Sequence, residues 1–168
     1  KTIQSVLDRT TLLVGHNIKF DLVWLLESGF KYEGRLYDTM IGEYILLRGL
    51  RKTLSLKDIC KRRSISQKSD AVDDYMKRKI SFEDIPVKII EEYGRQDVRS
   101  TRALFDAQMA DFKKEGNRPL LKSAKMMNEF LPVLANMEIN GIHIDLNSLN
   151  SVEQEFKEEF GRLAQQIK

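Results

Sequence analysis

Tyr93 and Asp97 stand one helical turn apart in a stretch that reads as helix from Pro86 to about Lys114. Ile90, Tyr93, Asp97, Thr101 and Leu104 are spaced 3, 4, 4 and 3 residues apart, so they form one stripe of that helix. Most of the stripe is apolar, and a carboxylate within it is costly to bury unless it is paired, hydrogen-bonded or bound to a cation. A second acid has the same character. Between Asn17 and Leu26 the only polar residues are Asn17, Lys19 and Asp21, and Asp21 follows Asn17 by one turn. Two inward-looking acids on separate helices can share a divalent cation. Phosphoryl hydrolysis with two metal ions needs clustered carboxylates, because the cations stabilise both attacking and leaving oxygens. A tyrosine hydroxyl nearby can orient the attacking water.

The same residues also suit a purely structural role. Asp21 can pair with Lys19 or a distant arginine, Asp97 with Arg102 or another base, and Tyr93 can be a core aromatic whose hydroxyl reaches water. His16 and His143 are isolated histidines and read as structural or surface groups.

The elements that must position these residues follow from periodicity and punctuation. Residues 2–8 read as the end of a helix and Thr11–Val14 as a short buried strand. Gly15-His16-Asn17 is a turn, with Asn17 as N-cap of a helix over about 18–28 that Gly29 ends. Asp38 caps a helix over about 39–48, and Ser55 one over about 56–63. Residues 64–81 are polar and aperiodic, an irregular loop with room for one short helix. Pro86 begins the long helix and Glu115-Gly116-Asn117 stops it. A further helix over about 118–138 contains Pro132, which would kink or divide it. After Asn140-Gly141, residues 142–144 are extended and Asp145 starts a last helix.

The 168 residues suit one domain, or one domain and the start of another. At 42% hydrophobic and 32% charged the composition is globular. No run approaches the roughly 20 apolar residues of a membrane span. Cys60 is the only cysteine, so no internal disulfide forms, which fits a reducing cytoplasm. The net charge is +3, but residues 48–79 hold eleven basic and four acidic groups. Such a stretch suits contact with phosphates, and equally suits a solvated lysine-rich surface.

Gly15-His16-Asn17-Ile18-Lys19-Phe20-Asp21 resembles the second motif of the DEDDy exonucleases, Asn-x-x-x-Phe-Asp. Tyr93-Gly94-Arg95-Gln96-Asp97 resembles their third, Tyr-x-x-x-Asp. Between them, Tyr37-Asp38-Thr39-Met40 and Thr53-Leu54-Ser55-Leu56-Lys57-Asp58 resemble two helix starts of the family. Residues 128–134 and the passage Met137-Glu138-Ile139-Asn140-Gly141-Ile142-His143-Ile144-Asp145 resemble the junction where family A (DNA polymerase I-like) polymerases pass from exonuclease to polymerase region.

That resemblance implies an α/β, RNase H-like exonuclease fold, incomplete and mostly helical here, followed by helices of the polymerase region. It implies a partial 3′→5′ exonuclease domain over 1–116 and the start of the polymerase region over 117–168. By position, Asp97 is a direct metal ligand, Asp21 holds a second metal through water, and Tyr93 orients the nucleophilic water. Asn17 and Phe20 shape the pocket for the 3′ end, and Asp38 is a helix cap. The implied cofactor is Mg²⁺ or Mn²⁺. The implied partners are a single-stranded DNA 3′ end and the remainder of a polymerase chain, in the cytoplasm of a bacterial or phage-infected cell. An RNase D-like RNA exonuclease and a non-catalytic nucleic-acid-binding module with a degenerate nuclease fold are the alternatives.

One family feature is missing. No aspartate is followed two residues later by glutamate, so the first motif, Asp-x-Glu, does not occur, and only 16 residues precede Asn17. The expectation is an excerpt of a longer protein, inactive by itself because two acids are too few for two cations.

Overall fold

The computed structural model describes residues 2–65 and 71–166. Helix α1 (Thr2–Leu7) leads into strand β1 (Leu12–Gly15), helix α2 (Ile18–Glu27) and strand β2 (Arg35–Asp38). Helices α3 (Thr39–Leu46), α4 (Leu56–Arg62) and α5 (Ala71–Lys77) follow, then a single 3₁₀ turn at Phe82–Asp84. Three long helices complete the described chain: α6 (Val87–Lys113), α7 (Arg118–Asn140) and α8 (Leu146–Gln166).

The two strands pair in parallel, with Leu12 opposite Arg35 and Gly15 opposite Asp38. A parallel pair needs a crossover, and α2 supplies it. Because side chains alternate along a strand, the pair presents two apolar faces. Leu13 and Leu36 turn towards Ile18 and Leu22 of α2 and Leu131 and Ala135 of α7. Leu12, Val14 and Tyr37 turn towards Phe105 and Phe112 of α6 and Ala124 of α7. Helix α7 therefore touches both cores. A third cluster joins Leu56, Ile59 and Cys60 of α4 to Leu104 of α6.

Several sequence expectations need correction. Strand β2 was not anticipated. Its buried residues Leu36, Tyr37 and Asp38 are consecutive, so the period-2 signal of a half-exposed strand is absent. Asn17 makes no side-chain cap; it sits in the left-handed region at φ 57° and ψ 43°. Pro86 is the N-cap of α6, where the long helix was expected to begin. Pro132 lies within α7 without dividing it. The helix expected over about 39–48 ends at Leu46, ahead of left-handed Arg48 and Gly49. The short helix allowed within 64–81 is α5, and residues 66–70 lie outside the described residues. No helix among the described residues is long and apolar enough to cross a membrane.

Candidate active site

The corner between β1 and α2 is tightly stitched. A side chain at Gly15 would place its Cβ 2.8 Å from Ile18 Cγ1, so only glycine lets α2 start this close to the strand. Asn17 then takes its left-handed conformation, which asparagine tolerates better than most residues. The helix start is capped from across the sheet. The Asp38 carboxylate, 1% exposed, accepts the backbone N–H of Asn17 at 2.9 Å, of Ile18 at 3.0 Å and of Met40 at 2.8 Å. One buried anion thus serves the N-termini of both α2 and α3, where helix dipoles favour negative charge. The Asp38 backbone N–H donates in turn to Asn128 Oδ1 of α7 at 2.6 Å, and Asn128 Nδ2 donates to Ala124 O at 2.7 Å.

His16 also ties this corner together. Its Nε2 donates to Leu54 O at 2.9 Å, and its Nδ1 lies 2.9 Å from Thr39 Oγ1, which donates to Gly15 O at 3.0 Å. The histidine links the β1–α2 turn to the start of α3 and to the segment before α4.

The long helix α6 is clamped against the same elements. Ser100, Leu104, Gln108 and Phe112 are its buried face. Gln108 Nε2 donates to Thr39 O at 2.9 Å and to Glu43 Oε2 at 3.2 Å, while Tyr37 Oη donates to Gln108 Oε1 at 3.0 Å. Glu43 is itself buried and accepts Arg63 Nε at 2.7 Å and Arg62 Nη2 at 3.4 Å. Arg63 Nη1 continues to Asp111 Oδ2 at 2.7 Å. Gly42 gives α3 room to pass Tyr37 and Gln108, which a Cβ there would overlap. These bonds fix which way the C-terminal half of α6 faces.

A cavity of about 1190 Å³ lies between β1, the start of α2, residues 54–56 and α6. Asn17, Asp21 and Asp97 all line it, with His16, Thr101 and Arg102. The structure thus brings three of the expected site residues to one space. Oδ1 of Asp97 is buried. Partial burial raises the Asp21 carboxyl pKa above its ordinary value; a hydrogen bond to its own backbone works against this, and the Asp38 charge adds to it.

Tyr93 and Phe20 are not part of the cavity wall. Tyr93 is half-buried one turn before Asp97 on α6. Phe20 is 61% exposed and meets Trp24 edge-on, with ring centroids 6.3 Å apart. One residue from Asp21 is about 100° around a helix, which turns Phe20 onto the outer face when Asp21 faces the cavity. Two of the structural pairings considered for the acids involve other partners. Lys19 pairs with Glu138 at the end of α7, and Arg102 with Asp106 at 3.0 Å.

Two acidic residues line one cavity, Asp21 exposed and Asp97 half-buried, and carboxylates offer the hard oxygen donors that Mg²⁺ and Mn²⁺ take. Among the described residues no group of three His, Cys, Asp or Glu side chains is placed to hold a metal ion. The donor set here is therefore a partial one.

The basic stretch is less available for phosphates than its charge suggests. Arg48 donates to Gly116 O at 2.9 Å and Asn117 Oδ1 at 2.6 Å, Arg62 to Thr53 O at 2.9 Å, and Arg63 lies in the Glu43 network. Arg51, Lys52 and Lys61 remain on the exposed surface.

Glu43, Gln108 and Asn128 are site-supporting residues without an assignment from the sequence, whereas His16 has the structural role expected of it. Gln108 and Asn128 had a signal of the same kind as Asp97. Each is a polar residue at helical spacing within an apolar stripe, Gln108 between Leu104 and Phe112 and Asn128 between Ala124 and Leu131.

Residues 2–111 match the model of a family described as 3′-5′ exonuclease. The chain is 28% identical over 158 residues to DNA polymerase I of Chloroflexus aurantiacus, covering 90% of this chain and 16% of that protein. It is 26% identical over 133 residues to DNA polymerase I of Borreliella burgdorferi, covering 79% of this chain and 14% of that one. With DNA polymerase I of Synechocystis the identity is 27% over 152 residues, 84% of this chain and 14% of the relative. The chain thus spans about one sixth or less of the length of these curated relatives.

Proposed function

The chain belongs to the 3′-5′ exonuclease family of the family A DNA polymerases, and we propose that it is the part of such a polymerase that removes the last nucleotide from a DNA 3′ end as a proofreading step. The observation that carries this reading is the meeting of Asn17, Asp21 and Asp97 on one cavity wall, from two motifs more than seventy residues apart in sequence. In this reading residues 1–116 are the exonuclease portion, of RNase H-like ancestry, and 117–168 the beginning of the polymerase region. The intact protein works in the cytoplasm of a bacterial or phage-infected cell.

The reaction is hydrolysis of the terminal phosphodiester. Water oxygen bonds to phosphorus, the bond from phosphorus to the 3′ oxygen of the preceding nucleotide breaks, and a nucleoside 5′-monophosphate leaves. Asn17, at the mouth of the β1–α2 corner, contacts the terminal nucleotide. Phe20, beside Trp24 on the outer face of α2, offers an aromatic surface to an unpaired base. Tyr93 presents its hydroxyl to the water and holds it in line with the phosphorus. Asp97 and Asp21 are the residues that would hold the divalent cations, together with carboxylates from outside the described residues. When bound, Mg²⁺ or Mn²⁺ supplies charge stabilisation to the attacking and leaving oxygens.

The test is made in the intact polymerase that carries this segment. Asp97→Ala should lower release of the 3′-terminal nucleotide from labelled single-stranded DNA by at least roughly 100-fold, with nucleotide incorporation retained. Equal release by Asp97→Ala and the unmodified protein would remove Asp97 from the site. Faster release from RNA than from DNA 3′ ends would favour the RNase D-like reading instead.

A further inference from the structure

Asp38 makes more bonds than a helix cap requires. A cap for α3 alone needs only the bond to Met40 N, two residues on. The other two bonds reach back across the sheet to Asn17 N and Ile18 N, 21 and 20 residues earlier. Those two amides open the helix that carries Asp21. Asn17 has no side-chain cap of its own and holds a left-handed φ of 57°. The conformation at the head of α2 is therefore set by an acceptor on another element. Three N–H groups converge on one carboxylate that is 1% exposed, so solvent does not substitute for it.

Asp38 is itself held by a third element. Its backbone N–H donates to Asn128 Oδ1 at 2.6 Å, and the Asn128 amide is fixed by Ala124 O. Asn128 is 4% exposed and sits on α7, beyond residue 111 where the exonuclease family match ends. A relay of hydrogen bonds thus runs from α7 through the end of β2 to the first turn of α2.

We infer that Asp38 is a positioning residue for the Asn17–Asp21 segment and that Asn128 of α7 sets Asp38, so that a helix outside the matched exonuclease region determines where the α2 site residues stand. This rests on the exonuclease reading above. Neither residue touches the reacting atoms; each acts through the backbone of Asn17 and Ile18. Asp38→Asn keeps the size of the side chain but turns one acceptor into a donor facing an N–H. Asn128→Ala removes the acceptor for Asp38 N without altering Asp38.

The experiment uses the intact polymerase and compares Asp38→Asn, Asn128→Ala and, as a distant cap removal, Asp145→Ala at the head of α8. Hydrogen exchange read by mass spectrometry on peptides covering residues 12–21 reports the Asn17 and Ile18 amides. Nucleotide release from a single-stranded 3′ end gives kcat and KM. Both site variants should speed exchange at residues 15–19 and lower kcat by roughly 10- to 100-fold, leaving KM and incorporation nearly unchanged, while Asp145→Ala changes neither reading. Faster exchange with an unaltered kcat would overturn the positioning role. So would an equal kcat loss in Asp145→Ala, which would assign the effect to general stability. If Asp97→Ala and the unmodified protein release nucleotide alike, the exonuclease reading itself has failed, and the exchange data separate that failure from a broken Asp38 contact.

Discussion

Asp111 shows how single side chains in this structure couple charge to stability. Its carboxyl accepts Lys114 Nζ at 2.5 Å and Arg63 Nη1 at 2.7 Å, and these two bonds, that from Lys114 foremost, hold its pKa below the ordinary 3.8. A carboxylate depressed in the folded state adds stability above its unfolded pKa and loses it as pH falls through the folded value. Asp111→Asn should therefore cost about 1 kcal/mol near neutral pH, and the gap should narrow as pH drops below 3.8. Thermal melts of both proteins between neutral and strongly acid pH measure it; a gap that does not change with pH would rule out the ion pair as its source. At this scale the site was partly legible in the sequence. Asp21 and Asp97 stood out as acids among apolar neighbours, and both line the cavity. Glu43 did not, because its burial is made possible by Arg62 and Arg63 at the end of α4 and by Gln108 of α6, which cannot be matched to it without the fold.

Among the elements, α4 is short and owes much to its start. Ser55 Oγ accepts Asp58 N at 3.2 Å and donates to Asp58 Oδ2 at 2.8 Å, a reciprocal cap across the first turn. Ser55→Ala should destabilise the protein by about 1 kcal/mol, read as a lower midpoint in urea unfolding with an unchanged slope. No shift in the midpoint would mean that packing of Ile59 and Cys60 on Leu104 holds α4 without its cap. This cap, the Asp38 cap of α3 and the long periodic faces of α6 and α7 were legible in the sequence, because each signal is local. Strand β2 was not. Its four residues are covered on both faces, so its pattern has no alternation to read. The head of α2 was misread for a related reason: Asn17 is a good cap by type, yet the acceptor that caps α2 comes from Asp38 on the neighbouring strand.

The molecule as a whole is unevenly finished. Helix α8 has no buried residue, and Leu149, Val152, Phe156 and Phe160 are exposed along it. Strand β1 pairs only with β2 among the described residues, and Leu12–Gly15 all line the cavity. With two carboxylates at the cavity and no group of three His, Cys, Asp or Glu placed to hold a metal among the described residues, the isolated 168-residue chain should release no nucleotide above background. Mg²⁺ should leave its melting temperature unchanged. Release by the purified chain that Asp97→Ala abolishes would show that the two acids suffice. Helix α7 has a consequence for modularity. It closes both apolar faces of the strand pair and bonds the end of β2, although the exonuclease family match stops before it begins. A cut near residue 116 would remove Leu131 and Ala135 from the cluster that holds Leu22 and Leu36, while Tyr37 would keep Phe105 and Phe112. Treated as a cassette, the unit that keeps both faces of the strand pair covered therefore runs through α7 to Asn140, past the end of the family match.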